Sequence, residues 1–192
     1  MSLSHVLLTS LIEKPCSGYD LARRFDRSMG FFWKASHQQI YRELASMLNK
    51  GWVSTLDAPQ QQRKKVYQVE QLGRVELANW MLQQSQPAQL REDLMVRLRA
   101  EAQLGGNHML PELTRHLELH QQQLHTYLVI YKKDFTHTAR DNRVLFIHRM
   151  ILQLGIDLEK GWIQWLEQMI AALSNEFYDQ TVSDATQPSH EN

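Results

Sequence analysis

Gln38, Gln39 and Arg42 lie within one five-residue stretch. They are the residue types that read base edges in a DNA groove, since glutamine pairs bidentately with adenine and arginine with guanine. They sit in the run SHQQIYRELASMLNKGW, where Ile40, Leu44, Met47 and Leu48 recur at the spacing of one buried helical face. At about 100° per residue, Gln38, Arg42 and Asn49 come out on the opposite face. Gln39 and Ser46 flank that face, and Tyr41 lies between the two. Lys34, Ser36, His37 and Tyr41 surround it with groups suited to phosphate oxygens. Downstream, the polar run DAPQQQRKK brings Arg63, Lys64 and Lys65 together. Such a cluster suits the phosphate backbone or the minor groove.

The elements that must position these groups follow from local chemistry. Ser36 is a good N-cap for the central helix, and Gly51 stops it. Two strand-like runs follow, 52–56 and 66–69, with the basic loop between them. A base-reading helix followed by a basic two-stranded hairpin is the outline of a winged helix-turn-helix. Upstream, an apolar helix is expected over 4–13, broken by Lys14-Pro15-Cys16-Ser17-Gly18. A second helix is expected over 18–28, with Arg23, Arg24 and Arg27 on its exposed side. The aromatic stretch Gly30-Phe31-Phe32-Trp33 leads into the central helix. A fourth helix, 70–84, offers Leu72, Leu77, Trp80 and Met81 as its apolar stripe. Ser85–Gln89 carries a proline and no large apolar residue, so the domain boundary is placed there. Domains of 1–84 and 90–178 are expected, with 179–192 reading as a disordered tail.

The second half reads as three helices, 91–104, 110–135 and 140–176. Leu110, Leu113, Leu117, His120, Leu124, Tyr127 or Leu128, and Tyr131 form a seam on the middle one. Val144, Ile147, Ile151, Leu154, Leu158, Trp162, Trp165, Met169 and Leu173 form a seam on the last. Alternating steps of three and four over this length mark coiled-coil-like packing. The two helices are expected to pair antiparallel through a turn near His137. Their surplus apolar surface calls for a second protomer. Leu113, Leu117, His120, Leu124, Tyr131, Ile151, Leu158, Trp162 and Trp165 are the dimerisation candidates.

His116 and His120 are spaced i, i+4, as two metal ligands would be. No cysteine or carboxylate pattern completes a site, and a polar seam residue that fixes dimer register accounts for His120. No metal or cofactor is therefore expected. Cys16 is the one cysteine, so no internal disulfide forms, and a small turn residue explains it better than a redox sensor. Trp162, Trp165, Tyr127 and Tyr131 suit core packing, or an aromatic ligand pocket at the dimer interface. No nucleophile elbow, catalytic triad, paired carboxylates or phosphate-cradling loop is present, so an enzyme is not expected.

The net charge of zero conceals an asymmetry. Residues 1–69 hold 10 Lys+Arg and 5 Asp+Glu, a balance of +5, and residues 70–192 hold 11 and 16, a balance of −5. A basic third on an acidic remainder suits a chain in which one part meets a polyanion. With 43% hydrophobic residues, a packed core is expected. The start lacks the basic n-region and small-residue cleavage site of a signal peptide, and no apolar run approaches the roughly 18 residues of a membrane span. A cytoplasmic chain without a membrane partner is expected.

With these residues in view, the N-terminal half resembles the PadR family of transcriptional regulators. The matching pieces are Gly18-Tyr19-Asp20-Leu21, then Gln39-Ile40-Tyr41-Arg42-Glu43-Leu44 with Leu48 and Gly51, then Lys65-Val66-Tyr67 and Leu72-Gly73-Arg74. The opening residues, Phe32-Trp33-Lys34-Ala35-Ser36-His37-Gln38-Gln39 and Trp162-Ile163-Gln164-Trp165 are similar to the AphA-like branch. The resemblance implies a mainly α protein, an N-terminal winged helix-turn-helix with a C-terminal long-helix dimerisation domain. It further implies a homodimer on double-stranded DNA, a repressor in typical members, and a small aromatic effector in several. Two departures stand out. Glu70 opens the fourth helix where the family often has threonine, and the wing tip QQQRKK lacks the proline and glycine of many members. The competing reading is a protein–protein adaptor that uses the winged helix as a platform. An adaptor has no need of a basic wing beside a Gln/Arg helix face.

Overall fold

The computed structural model describes residues 3–27, 35–57, 65–87, 92–135 and 142–175. The chain divides into two compact units, Met1–Ala88 and Gln89–Asn192.

The first unit runs α1 (Leu3–Glu13), β1 (Cys16–Ser17), α2 (Gly18–Arg27), α3 (His37–Asn49), β2 (Val53–Asp57), β3 (Lys65–Val69) and α4 (Gln71–Met81). Val6, Leu7, Leu8 and Leu11 of α1 form its centre, joined by Leu21, Ala22 and Phe25 of α2, Ile40, Leu44 and Met47 of α3, Val53 of β2 and Leu77 of α4. The hairpin is larger than the two-stranded wing read from sequence. Its sheet has three antiparallel strands in the order β1-β3-β2, with Cys16 opposite Tyr67 and Ser17 opposite Val66. A two-residue strand is too short to show a period, which is why Lys14–Gly18 reads only as a break. Val53 pairs with Val69 and Ser54 with Gln68, so alternate positions face the core and solvent.

Two other expectations are corrected. Leu72 and Met81 are 61% and 68% exposed rather than packed. Gly73 and Leu77 are the buried residues of α4, and Trp80 packs against the same core. The cause is a close approach. A Cβ on Gly73 would sit 2.3 Å from the Trp52 carbonyl oxygen and 3.1 Å from Leu8. The hydrogen-only side chain thus turns the Gly73–Leu77–Trp80 face inward, and Leu72 and Met81 fall to either side. Arg24 also leaves the exposed arginine face. Its Nη2 donates to the Ser10 and Lys14 carbonyls (2.5 and 2.9 Å) and lies 3.4 Å from Cys16 Sγ. It satisfies the carbonyls left over at the end of α1. Burial pushes the Cys16 thiol up, outweighing Arg24's opposite pull, which argues against a reactive thiolate.

The second unit is α5 (Asp93–Leu104), α6 (Leu110–Phe135) and α7 (Arg143–Asn175). Gly105 and Gly106 turn the chain at φ +75° and +108°, values that favour glycine. The Glu101 carboxylate accepts from the Met109 amide (3.0 and 3.3 Å). It thereby serves the positive start of α6 from one helix away. Leu113 packs with Leu166 near one end of the pair, His120 meets Glu159 in the middle, and Tyr127 covers Gly155 further on. Ascending numbers on α6 meet descending numbers on α7, so the two helices are antiparallel. His137, where the turn was expected, lies outside the described residues, as does 176–192. Among the described residues no helix is long and apolar enough to cross a membrane.

Gly73→Ala replaces a close backbone contact with a clash that no side-chain rotation relieves. We expect a loss of about 1–3 kcal/mol, the usual cost of overpacking, read as a lower urea midpoint at unchanged m-value. Unaltered stability would show that α4 can move away from Trp52 freely.

Candidate nucleic-acid interface

Recognition chemistry in the first unit centres on α3. Its buried side, Ile40, Leu44 and Met47, is fully enclosed, whereas His37, Gln38, Gln39, Tyr41 and Arg42 are exposed. The helix begins with a capping box. Ser36 Oγ accepts from the Gln39 amide (3.2 Å), and Gln39 Oε1 accepts from the Ser36 amide (2.8 Å). The start of the helix is therefore ordered by the same two residues assigned to DNA. Gln39 is committed further than the sequence reading assumes. Its carbonyl oxygen serves the cap, and its NH2 is the group left to donate to a base.

Two contacts fix the helix in space, and a third closes the helix it leans on. Ser4 of α1, itself buried, donates its hydroxyl to Glu43 Oε1 (2.6 Å). Tyr41 lies across the start of α2, where a Cβ on Gly18 would come within 2.7 Å of its ring. Ser17 Oγ accepts from the Asp20 amide (3.1 Å) and donates to Asp20 Oδ2 (2.6 Å), closing the start of α2. Glu43 and Ser4 were missed by sequence reasoning. They lie 39 positions apart, and only an α3 position facing neither core nor solvent hinted at a role.

Lys65 opens β3 and is exposed. Lys34, Arg63 and Lys64 lie outside the described residues. Two further cations stand over aromatic rings. Lys50 Nζ stands 4.4 Å from the Trp52 ring centre, and the Arg23 guanidinium 5.8 Å from that of Tyr19.

In the second unit, the structure divides the dimerisation candidates. Leu113 is fully buried in its own chain's core, with Leu94, Met109 and Leu166, and Leu117 and Trp165 pack against it. His120 is likewise used within the chain. Its Nδ1 donates to Glu159 Oε2 (2.6 Å), and its ring stacks on Trp162 at 5.1 Å, which in turn meets Trp165 edge-on. The polar seam residue thus sets the register of α6 against α7. Sequence periodicity marks apolar positions but does not say which neighbour fills them, and α5 supplies Leu94 and Leu98 as an unanticipated filler. Leu124 and Tyr131 are half-buried, and Tyr131 meets the Phe135 ring. Ile151 and Leu158 remain exposed, in line with Val144, Ile147 and Leu154. Among the described residues, no group of three or more His, Cys, Asp or Glu is placed to hold a metal ion.

Comparisons with known proteins agree with this geometry. Residues 7–79 match the model of the "Transcriptional regulator PadR-like family", and residues 90–174 match "Virulence activator alpha C-term". "Probable transcriptional regulator Rv1176c" of Mycobacterium tuberculosis is 36% identical over 185 residues, covering 90% of this chain and 98% of that protein. "Negative transcriptional regulator PadR" of Bacillus subtilis is 25% identical over 183 residues, covering 91% and 98%. The same Bacillus protein in complex with operator DNA superposes with a TM-score of 0.76 at 26% identity, covering 88% of this chain and 96% of that one. Its complex with p-coumaric acid gives 0.72 at 25%, covering 90% and 99%. The Vibrio cholerae virulence activator AphA gives 0.74 at 29%, covering 90% and 98%. The chain belongs to the PadR-like family of transcriptional regulators, DNA-binding winged-helix proteins with a helical C-terminal domain of the AphA kind.

Proposed function

We propose that this regulator binds a roughly palindromic operator as a homodimer, represses transcription, and releases DNA when a small aromatic ligand binds. The observation that carries the reading is the face of α3, where Gln38 and Arg42 stand exposed on a helix whose other side is fully enclosed. Gln38, the Gln39 NH2 and Arg42 read bases. Ser36, His37, Tyr41 and Lys65 contact the backbone, together with Lys34, Arg63 and Lys64 on sequence grounds. Two such helices in a symmetric dimer meet half-sites about 34–36 Å apart. Repression is favoured by the name of the Bacillus relative, and the cytoplasm is where such DNA lies.

The dimer is supported by the open half of α7. Val144, Ile147, Ile151, Leu154 and Leu158 keep coiled-coil spacing, and each is 42–60% exposed. The C-terminal half of the same seam is closed by α5 and α6 of the same chain, so the uncovered half is the part left for a partner. The ligand reading rests on the Bacillus complex with p-coumaric acid. The half-buried indole of Trp162 is a surface on which a phenolic ring can stack.

Binding to a fluorescent duplex of the gene's own upstream region, against a scrambled duplex at two salt concentrations, tests the core claim. We expect Arg42→Ala to cost about 1–3 kcal/mol at one base pair. Lys65→Ala should weaken both duplexes alike and lower the salt slope by about one. Wild-type protein that binds neither duplex at low salt would overturn DNA recognition and favour the adaptor reading. Leu154→Glu with Leu158→Glu should yield a folded monomer in sedimentation, with operator affinity sharply reduced. A persisting dimer would move the interface elsewhere. p-Coumaric acid should quench tryptophan emission and release the operator duplex, and the effector claim fails if it does neither.

A further inference from the structure

We propose that Glu70 is a positioning residue for DNA recognition. Its carboxylate clamps the base of the β2–β3 wing through Ser54 and Gln68, and so fixes where Lys65 meets the phosphate backbone. The inference rests on the DNA reading above.

Glu70 holds the N-cap position of α4, where an acidic side chain ordinarily turns to the free amides of its own helix. Here it makes no such bond. Ser54 Oγ donates to Glu70 Oε1 at 2.5 Å, and Gln68 Nε2 donates to the same oxygen at 3.1 Å. Gln68 Nε2 also donates to Ser54 Oγ at 3.1 Å, closing a triangle. Ser54 and Gln68 are cross-strand neighbours, one on each strand of the wing. The Glu70 amide donates to the Trp52 carbonyl (2.9 Å), the oxygen against which Gly73 is pressed. One residue thus ties both wing strands to a helix that is itself seated on α1.

The core cannot do this alone. Val53 is buried at the wing's base, but Leu56, three residues out, is 50% exposed. Tyr67 of β3 packs against the core, and the strand pair is otherwise held by polar contacts. β1 restrains β3 along one edge, and the Ser54–Gln68–Glu70 triangle restrains the strand pair across its solvent face. The two donors hold the Glu70 carboxyl below the usual carboxylate range, so the acceptor is ionised near neutral pH. A wing held at a fixed angle forfeits less conformational freedom when its cation meets a phosphate. A free wing makes that contact less often on any duplex.

The test measures full-length wild type, Glu70→Ala and Glu70→Gln on the upstream and scrambled duplexes across a salt series, with amide hydrogen exchange on the free proteins. We expect Glu70→Ala to bind both duplexes about fivefold more weakly and to lose up to about one unit of salt slope, as Lys65→Ala does. Exchange should quicken in β2 and β3 while α6 is unchanged. Glu70→Gln should retain most of the affinity and slope, because its amide oxygen still accepts from Ser54. A merely structural role would lower the melting temperature without moving the salt slope. Wild-type affinity and slope in Glu70→Ala would overturn the proposal. Should the wild type bind neither duplex, the DNA reading falls first and exchange decides the clamp: quickened wing amides in Glu70→Ala sustain it, and unchanged amides sink it.

Discussion

Everything the first unit presents to DNA depends on the burial of Ile40, Leu44 and Met47 against α1 and α2. All three are fully enclosed. At about 1.5–3 kcal/mol for each large apolar side chain, an upper bound given a compact unfolded chain, this one strip outweighs any polar contact on the helix. It also dictates the opposite face. Once these three side chains point inward, the helical period leaves Gln38 and Arg42 outward with no freedom to do otherwise. The polar contacts then refine what burial decides: Ser4 against Glu43 resists rotation of α3, and the capping box orders its first turn.

The second unit solves a different problem. Helices of 26 and 33 residues carry more apolar surface than one antiparallel pair can cover. α5 and the turn at Gly105–Gly106 close one end, where Leu94, Leu98, Met109, Leu113 and Leu166 gather. A carboxylate–imidazole bond and an indole stack mark the middle. This contact contributes specificity more than stability. A shift of one helical turn would leave Glu159 and His120 without each other in partly buried surroundings, and unpaired polar groups there cost more than the paired ones gain.

Which parts of this were legible from the residues alone follows a physical rule. Periodic burial is written in the sequence, so α3, α6 and the inward strip of α3 were all readable. Side-chain contacts between distant positions are not. Arg24 looks like an exposed cation until the end of α1 is found beside it. Gln39 looks free until Ser36 is seen to use its oxygen. Glu70 looks like a weak cap until Ser54 and Gln68 arrive from the wing. The α7 seam was legible as a seam but not as one half covered by α5 and α6 and one half exposed, because spacing records which residues are apolar and not what covers them. β1 escaped because two residues hold no period.

Net charge is a poor guide to such a protein, and the reason is screening. At physiological ionic strength, a charge is felt over about 8 Å. The −5 balance of residues 70–192 therefore weighs little against the +5 of residues 1–69 wherever the two are separated by more than that length. A polyanion responds to local groups, and the exposed side of α3 and Lys65 are local groups of that kind. Yet an acidic group close to that surface acts at full strength. Glu43 and Glu70 are both such groups, and each is occupied, the first by a buried serine hydroxyl and the second by two wing donors. Neutral donors leave each carboxylate its charge but fix where that charge sits, so Glu43 and Glu70 brace α3 and the strand pair from defined positions instead of swinging toward whatever the surface meets.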